Sequence, residues 1–511
     1  MRRNGKILLT ALLIYIALLF LLVAAESDAP GSSIHSFWDA IWFSMITMTT
    51  VGYGDLSPVT ATGRILGLFF ALCSIGLLSV LIGLGLHLLG GRLIPRLRLR
   101  MGRNRPWLVF NEENADAAAL AEQLRRRDDS AILIFPRREH GLVSGPNVVR
   151  PDADLEALVR LRKTTEGISL FCMGSDSWEN YEQGLKAAEQ KIHAYCMTEV
   201  AADRFSPELH LFSRQEALSR CYWKDHPLKP EERCVVIVGC GEAGTSILER
   251  ALLTNVFEPG RRTEYHVFGD SRGFAAAHPE LVRALFGEDP EEDSLCFHPE
   301  RWEEARELMG RADRILFCAD EDAENLKDFG TLRRWFVTGA KVHLRLSSPV
   351  PDTESFGERE KTLTPEFVMK DEINRRAMLL NDIYNRNSPN PVAWRDLSHF
   401  LRQSNIAAAD HLIIKVRFLL DEPDLTELTE EDCRRAYEAF THRCGEERDL
   451  FQKMEHRRWM RFYQMYNWTY SPKRDNDRRQ HPMMLPYEKL SESEQRKDAY
   501  AWELIGSLYT G

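Results

Sequence analysis

Thr50, Val51, Gly52, Tyr53, Gly54 and Asp55 follow one another directly after an apolar stretch, and together they offer oxygen ligands for a dehydrated cation. If the backbone from Thr50 to Tyr53 runs extended, its carbonyls and the Thr50 hydroxyl replace the water shell of K+. Gly52 and Gly54 supply backbone angles that a Cβ penalises, so successive carbonyls can face the same way. One chain forms only one wall of such a ring, and four related by rotation close it. Phe37 to Met48, just before it, is too short to cross a bilayer and fits a re-entrant helix. Its C-terminal end would aim partial negative charge at the ion path.

A second constellation suits phosphate. The strand-like run Cys234 to Val238 leads into Gly239-Cys240-Gly241-Glu242-Ala243-Gly244 and an apolar-faced helix, the context that gives such a loop its meaning. Gly239 makes the tight turn, Gly241 lets a pyrophosphate approach the backbone, and Gly244 allows close packing of helix on strand. The next strand ends at Gly269-Asp270, which sets a carboxylate where a ribose hydroxyl would lie. The expected ligand is NAD-like or an adenine nucleotide. An earlier unit repeats the strand-helix-strand order but has Asn111, Glu113 and Asp116 in place of the glycines; their carboxylates repel phosphate, so no dinucleotide is expected there. The acids of Asp320 to Asn325 lack the spacing and glycine of a calcium loop, and read as a solvated helix start rather than a Ca2+ site. No local nucleophile-base pattern supports an enzyme.

Near the C-terminus the aromatics Trp468, Tyr470 and Tyr487 accompany Arg474, Arg478 and Arg479. Such a set can stack on a purine and hold its phosphates, or its rings can fill a small helical core. A cyclic dinucleotide is one ligand of suitable chemistry.

These groups need elements to position them. Ile7 to Ala25 carries no charge and, as a helix, spans roughly 28 Å, close to the hydrocarbon thickness of a bilayer. Ile65 to Leu89, with His87 alone ionisable, can also cross. Gly76, Gly83 and Gly85 within it are candidate gating hinges or close-packing positions. Arg2, Arg3 and Lys6 precede the first span and Arg92, Arg96, Arg98 and Arg100 follow the second, which places both termini in the cytoplasm. Glu26, Asp28 and Asp55 would then present acidic groups to incoming cations. No arginine-rich span that could sense voltage is visible, so control is expected from the soluble mass. The net charge of -10 argues against a nucleic-acid polymer as partner. All ten cysteines lie from Cys73 onward, in keeping with a reduced compartment, and none is paired as Cys-x-x-Cys.

The filter segment and its preceding helix resemble the potassium-channel family. The two strand-helix-strand units resemble the regulator-of-potassium-conductance (TrkA-N-like) domains fused to two-span channels. The run Asn467-Trp468-Thr469-Tyr470, Arg474-Asp475, His481-Pro482, Leu485-Pro486-Tyr487, Leu490 and Glu494 resembles the ryanodine-receptor repeat domain attached to bacterial channels. Taken with the residues, this implies a multidomain membrane protein. A two-span all-α pore would occupy 1–100, a first, degenerate Rossmann-like regulatory domain 101–230, a second, nucleotide-binding one 231–390, and a mainly helical ligand-sensing domain 391–511. The expected function is passive, ligand-gated K+ conduction by a homotetramer in the plasma (inner) membrane of a prokaryote. Its eight α/β domains would form a cytoplasmic ring that reads a small-molecule ligand. The alternatives are a nonconducting membrane-tethered nucleotide sensor and a regulatory subunit of a potassium transporter.

Overall fold

The computed structural model describes residues 2–49, 51–72, 94–136, 141–202, 206–286, 292–386 and 388–509. The chain divides into two compact units, Met1–Arg103 with Arg150–Arg162, and Asn104–Val149 with Lys163–Gly511.

In the first unit, α1 (Arg2–Glu26) is followed by the short α2 (Phe37–Met48) and a further helical segment at residues 61–72. Ser36 and Asp39 start α2 with a capping box, each side chain accepting from the other's backbone N–H, which satisfies two otherwise orphan donors. Phe20 stacks on Phe37 at 4.7 Å, and Tyr15 hydrogen-bonds Ser44 at 2.7 Å. Leu19, Leu22, Ala40, Phe43, Leu66 and Phe70 close the small core between these helices. Among the described residues no helix is long and apolar enough to cross a membrane. Side chains of α1 are described from Leu13 onward, and residues 73–93, with the hinge candidates Gly76, Gly83 and Gly85, lie outside the described residues.

Glu26 departs from its expected place in an acidic outer vestibule. It is fully buried and accepts from Ser32 Oγ (2.9 Å), Val59 N (3.0 Å), Thr60 N (2.9 Å) and Thr60 Oγ1 (2.6 Å). The carboxylate clamps the segment after the filter to the end of α1 and offers nothing to a passing cation. Gly63 packs against it so closely that a Cβ there would lie 2.0 Å from Glu26 Oε1.

The second unit contains two six-stranded parallel sheets of identical topology. The first runs β3-β2-β1-β4-β5-β6, with β1 Trp107–Phe110, β2 Ile132–Ile134, β3 Val148–Val149, β4 Ile168–Cys172, β5 His193–Met197 and β6 Leu209–Phe212. The second runs β12-β11-β10-β7-β8-β9, with β7 Cys234–Val238, β8 Glu264–Phe268, β9 Ser294–His298, β10 Arg314–Phe317, β11 Lys341–Arg345 and β12 Glu354–Phe356. Counted from its own first strand, each is the doubly wound order 3-2-1-4-5-6, whose ligand crevice opens where the order reverses. The helices used below are α3 (Ala115–Arg127), α4 (Ser177–Glu189), α5 (Arg214–Asp225), α6 (Glu242–Thr254), α7 (Arg306–Arg311) and α8 (Asp322–Trp335). The C-terminal part is helical, as expected: α9 (His399–Leu420), α10 (Glu430–His442), α11 (Glu446–Met465) and α12 (Glu492–Glu503), with one two-stranded ribbon at Thr469–Tyr470 and Gln480–His481.

Because a parallel sheet must be covered on both faces, the alternation along β7 sorts two cores. Cys234, Val236 and Val238 face Trp302, Met309 and Leu332. Val235 and Ile237 face Trp223, Ile247 and Ala251, and that cluster continues without a break into Leu412, Val416, Phe440, Phe451, Met454 and Trp502. The C-terminal helices thus share a core with the second sheet across residue 391. Packing crosses the other expected boundary too. Leu363 and Val368 join the core of the first sheet, and Gln123 Nε2 donates to the carbonyls of Glu360 and Leu363.

Candidate functional site

The filter segment hangs from the C-terminal end of α2. Val51 N and Gly52 N both donate to Ile46 O, at 3.0 and 3.2 Å, so the helix end fixes where the segment begins. Gly52 and Gly54 have φ of +55° and +76°, the left-handed region that glycine enters freely. Trp42 Nε1 donates to Asp55 Oδ2 at 2.9 Å and the Trp42 and Tyr53 rings lie parallel, 7° apart in plane at 6.2 Å. Val51 and Tyr53 are exposed within the single chain. Thr50 lies outside the described residues.

The second sheet carries the glycine loop as read from the sequence, with one addition. Gly239 has φ +98° and a Cβ on it would stand 2.6 Å from Ala319 N. A Cβ on Gly244 would lie 1.9 Å from Gly239 O, which is the close helix-strand approach expected. The helices α3, α4 and α5 are capped by their own Asn114, Asp176 and Ser213. By contrast α6 has Gly241 at its N-cap and no side-chain cap of its own. Asp320, from the end of β10, fills that place: its carboxylate accepts from Glu242 N at 3.2 Å and Ala243 N at 3.0 Å. Those are the amides on which a pyrophosphate would sit. A Cβ on Gly241 would meet Asp320 Oδ2 at 2.0 Å, so here Gly241 makes room for a carboxylate. Sequence reading placed Asp320 in an acidic helix start; the signal for its role was its position at the C-terminal end of the strand beside β7, on the lip of the crevice.

Asp270 is at the end of β8 as expected, but both its oxygens are engaged by Arg272, at 2.8 Å to Nε and 2.5 Å to Nη2. The Arg272 side chain holds its pKa down to about 2. The pair is exposed and so is weakly held. Asp322, further along the acid cluster, accepts from Arg345 Nη1 (2.8 Å) and Ser347 N (2.9 Å). Asn325 bridges the ends of β10 and β11, accepting from Ala319 N and donating to the carbonyls of Ala319 and Arg345.

In the first sheet the corresponding loop is filled by its own side chains. Asn111 Oδ1 accepts from Met173 N at 2.7 Å. Glu113 is fully buried and accepts from Val143 N at 3.0 Å. Asp116 pairs with Arg214 (3.0 Å) and Arg359 (2.7 Å).

The C-terminal candidates separate. Trp468 stacks on Phe400 at 5.5 Å and meets Tyr463 edge-on at 5.0 Å; it is buried, as is Tyr487, whose hydroxyl donates to Gln452 Oε1 at 2.6 Å. Neither ring is an open stacking platform: Trp468 packs among the aromatics of α9 and α11, and Tyr487 lies against Gln452 and His456 of α11. Tyr470 is exposed. Arg474 lies 6.0 Å over the Trp468 ring and donates to Asn476; Arg479 donates to the Tyr466 carbonyl at 2.9 Å; Arg478 approaches Asp475 at 3.8 Å. Burial, with Arg474 and Lys497 adding, pushes His481 down to about 4, and its Nδ1 accepts from Met483 N at 3.1 Å.

Residues 7–89 match the family described as ion channel, and residues 440–509 match the RyR domain. A voltage-gated potassium channel of Aeropyrum pernix is 43% identical over 79 residues, 16% of this chain and 25% of that protein. Potassium voltage-gated channel subfamily A member 5 of Mus musculus is 49% identical over 57 residues, 11% of this chain and 9% of that protein. The chain thus spans a quarter or less of the length of these curated relatives. Among solved structures, GsuK bound to ADP aligns over 81% of this chain and 98% of its own at 13% identity, with a TM-score of 0.33. This chain accordingly carries a potassium-channel-like segment at 7–89 and a RyR domain at 440–509.

Proposed function

We propose that the chain is one subunit of a homotetrameric, potassium-selective channel of the plasma membrane, gated by ligands that bind its second Rossmann-like domain and its helical C-terminal part. The observation that carries this reading is the filter segment. Two left-handed glycines alternate with Val51 and Tyr53, the amides at its start are tied to a helix end, and Trp42 braces its outer side. That arrangement supports a row of carbonyls facing one path, which four copies would close around a dehydrated K+. On this reading Ile7 to Ala25 and Ile65 to Leu89 cross the bilayer with both termini in the cytoplasm. Conduction is passive, and neighbouring copies cover the exposed Val51 and Tyr53.

The ligand input is assigned to the loop of the second sheet. An NAD-like or adenine nucleotide would place its phosphate on Glu242 N and Ala243 N after Asp320 withdraws, with Asp270 turning from Arg272 to the ribose. The sheet of Asn111, Glu113 and Asp116 then serves assembly. Of the expected C-terminal residues, Tyr470, Arg474, Arg478 and Arg479 are exposed and are offered to a second anionic ligand such as a cyclic dinucleotide. The nucleotide shifts gating only by binding open and closed forms with different affinities. Reconstitution into vesicles with opposed K+ and Na+ gradients tests the central claim. A reversal potential that follows K+ and vanishes in Gly54→Leu supports it, and one indifferent to K+ leaves the tethered sensor or transporter subunit instead.

A further inference from the structure

At the end of the second sheet opposite the glycine loop, the register sets chemically reactive side chains on one face. Cys234 opposes Glu264 across β7 and β8, and His266, two residues on, opposes Cys296 on β9. Cys234, Glu264 and His266 bring one ligand atom each to within 4.8 Å of one another. Cys234 and His266 are buried, and Glu264 is partly open to solvent. The apolar cluster of Val236, Phe268, Trp302 and Leu308 walls the inner side, so the group has a dry floor and an open entrance.

The hydrogen bonds around His266 decide what its imidazole offers. Glu300 Oε1 lies 2.9 Å from His298 Nδ1, and a carboxylate only accepts, so His298 Nδ1 carries the proton. His298 Nε2 is then the acceptor at 2.9 Å from His266 Nδ1, which makes His266 Nδ1 a donor and leaves the Nε2 lone pair turned toward Glu264 Oε2, 3.5 Å away, with a cation needed between them. The guanidinium of Arg311 agrees: its Nη2 stands 3.3 Å from His266 Nε2 while its Nη1 donates to Glu264 Oε2 at 2.8 Å. A guanidinium has no acceptor, so Nε2 must be one. A lone pair aimed at a cation, with the second ring N–H held by a carboxylate-backed partner, is how metal-ligating histidines are oriented. The cation seen there is a side chain from the short α7, half exposed and free to swing out.

We propose that Cys234, Glu264 and His266 form a binding site for a divalent transition metal of the Zn2+ class, entered by displacing Arg311. One thiolate, one imidazole and one carboxylate are the sulfur, nitrogen and oxygen donors such an ion takes in tetrahedral sites, and a water completes the fourth position. Hard cations such as Ca2+ and Mg2+ are disfavoured, because two of three ligands are not oxygen. Binding expels the thiol proton, and the charge of thiolate and carboxylate balances the ion. His298 and Glu300 act behind the ligands as positioning residues.

The test uses the full-length chain in detergent with Co2+ as the optical probe and Zn2+ in competition with a chromophoric chelator. The expected result is one Co2+ per chain, with a thiolate-to-cobalt charge-transfer band that Zn2+ bleaches and that is lost in Cys234→Ser. Arg311→Ala, at an exposed position, should tighten binding severalfold, and His298→Gln should weaken it about 10- to 100-fold. A wild-type protein without the band overturns the site, as does a band that survives Cys234→Ser. So does an Arg311→Ala affinity equal to that of the wild type, which would leave Arg311 and Glu264 as a plain ion pair.

Discussion

Replacing Asp320 with alanine should make the second Rossmann-like domain bind nucleotide more tightly while making the free protein slightly less stable. The carboxylate holds Glu242 N at 3.2 Å and Ala243 N at 3.0 Å, so a phosphate arriving at the N-terminus of α6 must first break both bonds. It then sits beside the displaced negative charge. Removing a helix cap costs about 1 kcal/mol, and a charge at a helix N-terminus contributes about 0.3–1 kcal/mol. Asp320 is exposed, so solvent screening keeps the sum near the low end. A ligand relieved of that competition should gain about 1–2 kcal/mol, roughly 5- to 30-fold in Kd. Titration calorimetry with NAD+ and with ADP on wild type, Asp320→Asn and Asp320→Ala reads this directly. The asparagine variant should fall between the others, since its amide oxygen still accepts but carries no charge. Gly241→Asp should abolish binding, because a Cβ there already meets Asp320 Oδ2 at 2.0 Å and the added carboxylate faces the phosphate. Weaker binding in Asp320→Ala would refute the competition argument and make Asp320 a ligand contact. Unchanged affinity in both Asp320→Ala and Gly241→Asp would remove the seat altogether.

Trp42→Phe deletes the hydrogen bond to Asp55 while keeping an aromatic ring beside Tyr53; flux through reconstituted protein should lose K+ over Na+ selectivity or inactivate faster, and unaltered selectivity would show that the brace is dispensable. Arg461 is almost fully buried against Asp293, at 2.8 Å, and Asp293, also buried, keeps Arg457 Nη2 at 3.4 Å when Arg461 is lost, so Arg461→Met removes a charged hydrogen bond without stranding the carboxylate and should destabilise by about 1.5–3 kcal/mol; denaturant melts showing less than about 0.5 kcal/mol would contradict the pairing. Truncation at Pro389 should not yield a well-folded remainder, because α9 and α11 cover Ile247, Leu248 and Ala251; a truncated chain with an unchanged melting temperature would mean the shared core is unimportant. His411, fully buried with Nε2 donating to the Val256 carbonyl at 2.7 Å, is pushed down to about 3 by burial, with Lys415 adding. The folded state keeps it neutral while the unfolded state takes up a proton below about 6.5, so stability is complete above that pH and falls as acid is added, by about 2 kcal/mol at pH 5. His278 and His456, raised by Glu249 and Asp498 against the lowering by burial, act in the opposite sense. The check is therefore the difference in melting temperature between wild type and His411→Gln from pH 7 to pH 5, which should narrow.

What could be read from the sequence follows burial. The central strands β1, β4, β7 and β10 are apolar runs because helices cover both their faces, and the run Cys234 to Val238 read from the sequence is β7 to the residue. The outer strands are shorter or more polar: Val148–Val149, Leu209–Phe212, Ser294–His298 and Glu354–Phe356 carry too little periodicity to stand out. The filter glycines and the loop glycines were legible because a positive φ at Gly52, Gly54 and Gly239 favours glycine and a close approach at Gly241 and Gly244 leaves no room for a Cβ. Asp320 and the group around His266 were not, since their meaning lies in which strand neighbours which. Nor was the burial of Glu26 legible, because its partners Val59 and Thr60 lie across the whole pore loop and donate mainly through the backbone. Trp468 and Tyr487 show the limit of composition: an aromatic beside arginines reads alike whether its face is open or packed, and here Phe400 and Gln452 settle it.

The two sheets also differ in what a phosphate would have to displace at each loop. They repeat the same topology down to an asparagine after the fourth strand: Asn180 accepts from Gly174 N and donates to the Met197 carbonyl, as Asn325 does with Ala319 and Arg345. In the first sheet the space holds a buried carboxylate, Glu113, together with the half-buried Asn111, Asn114 and Asp116, all of them partnered. Freeing the α3 amides would expose Glu113 and break the cap that Asn114 makes with Ala117 N at 2.8 Å, so a ligand would have to outbid interactions of the folded core. In the second sheet the same space is held by one exposed carboxylate on a neighbouring strand end, and an arriving phosphate would take over the Glu242 and Ala243 amides that its withdrawal frees. A phosphate brings more charge and more acceptor oxygens than a carboxylate to the same two amides, so displacement there is downhill once the nucleotide's other contacts form. The difference between an inert repeat and a switchable one is therefore the burial of the group that stands in for the phosphate. Moving a buried carboxylate into the second loop with Gly244→Asp should silence it, because the helix-strand contact at Gly239 O leaves no room and no solvent for the new group. Retained nucleotide binding in that variant would show that the seat lies elsewhere.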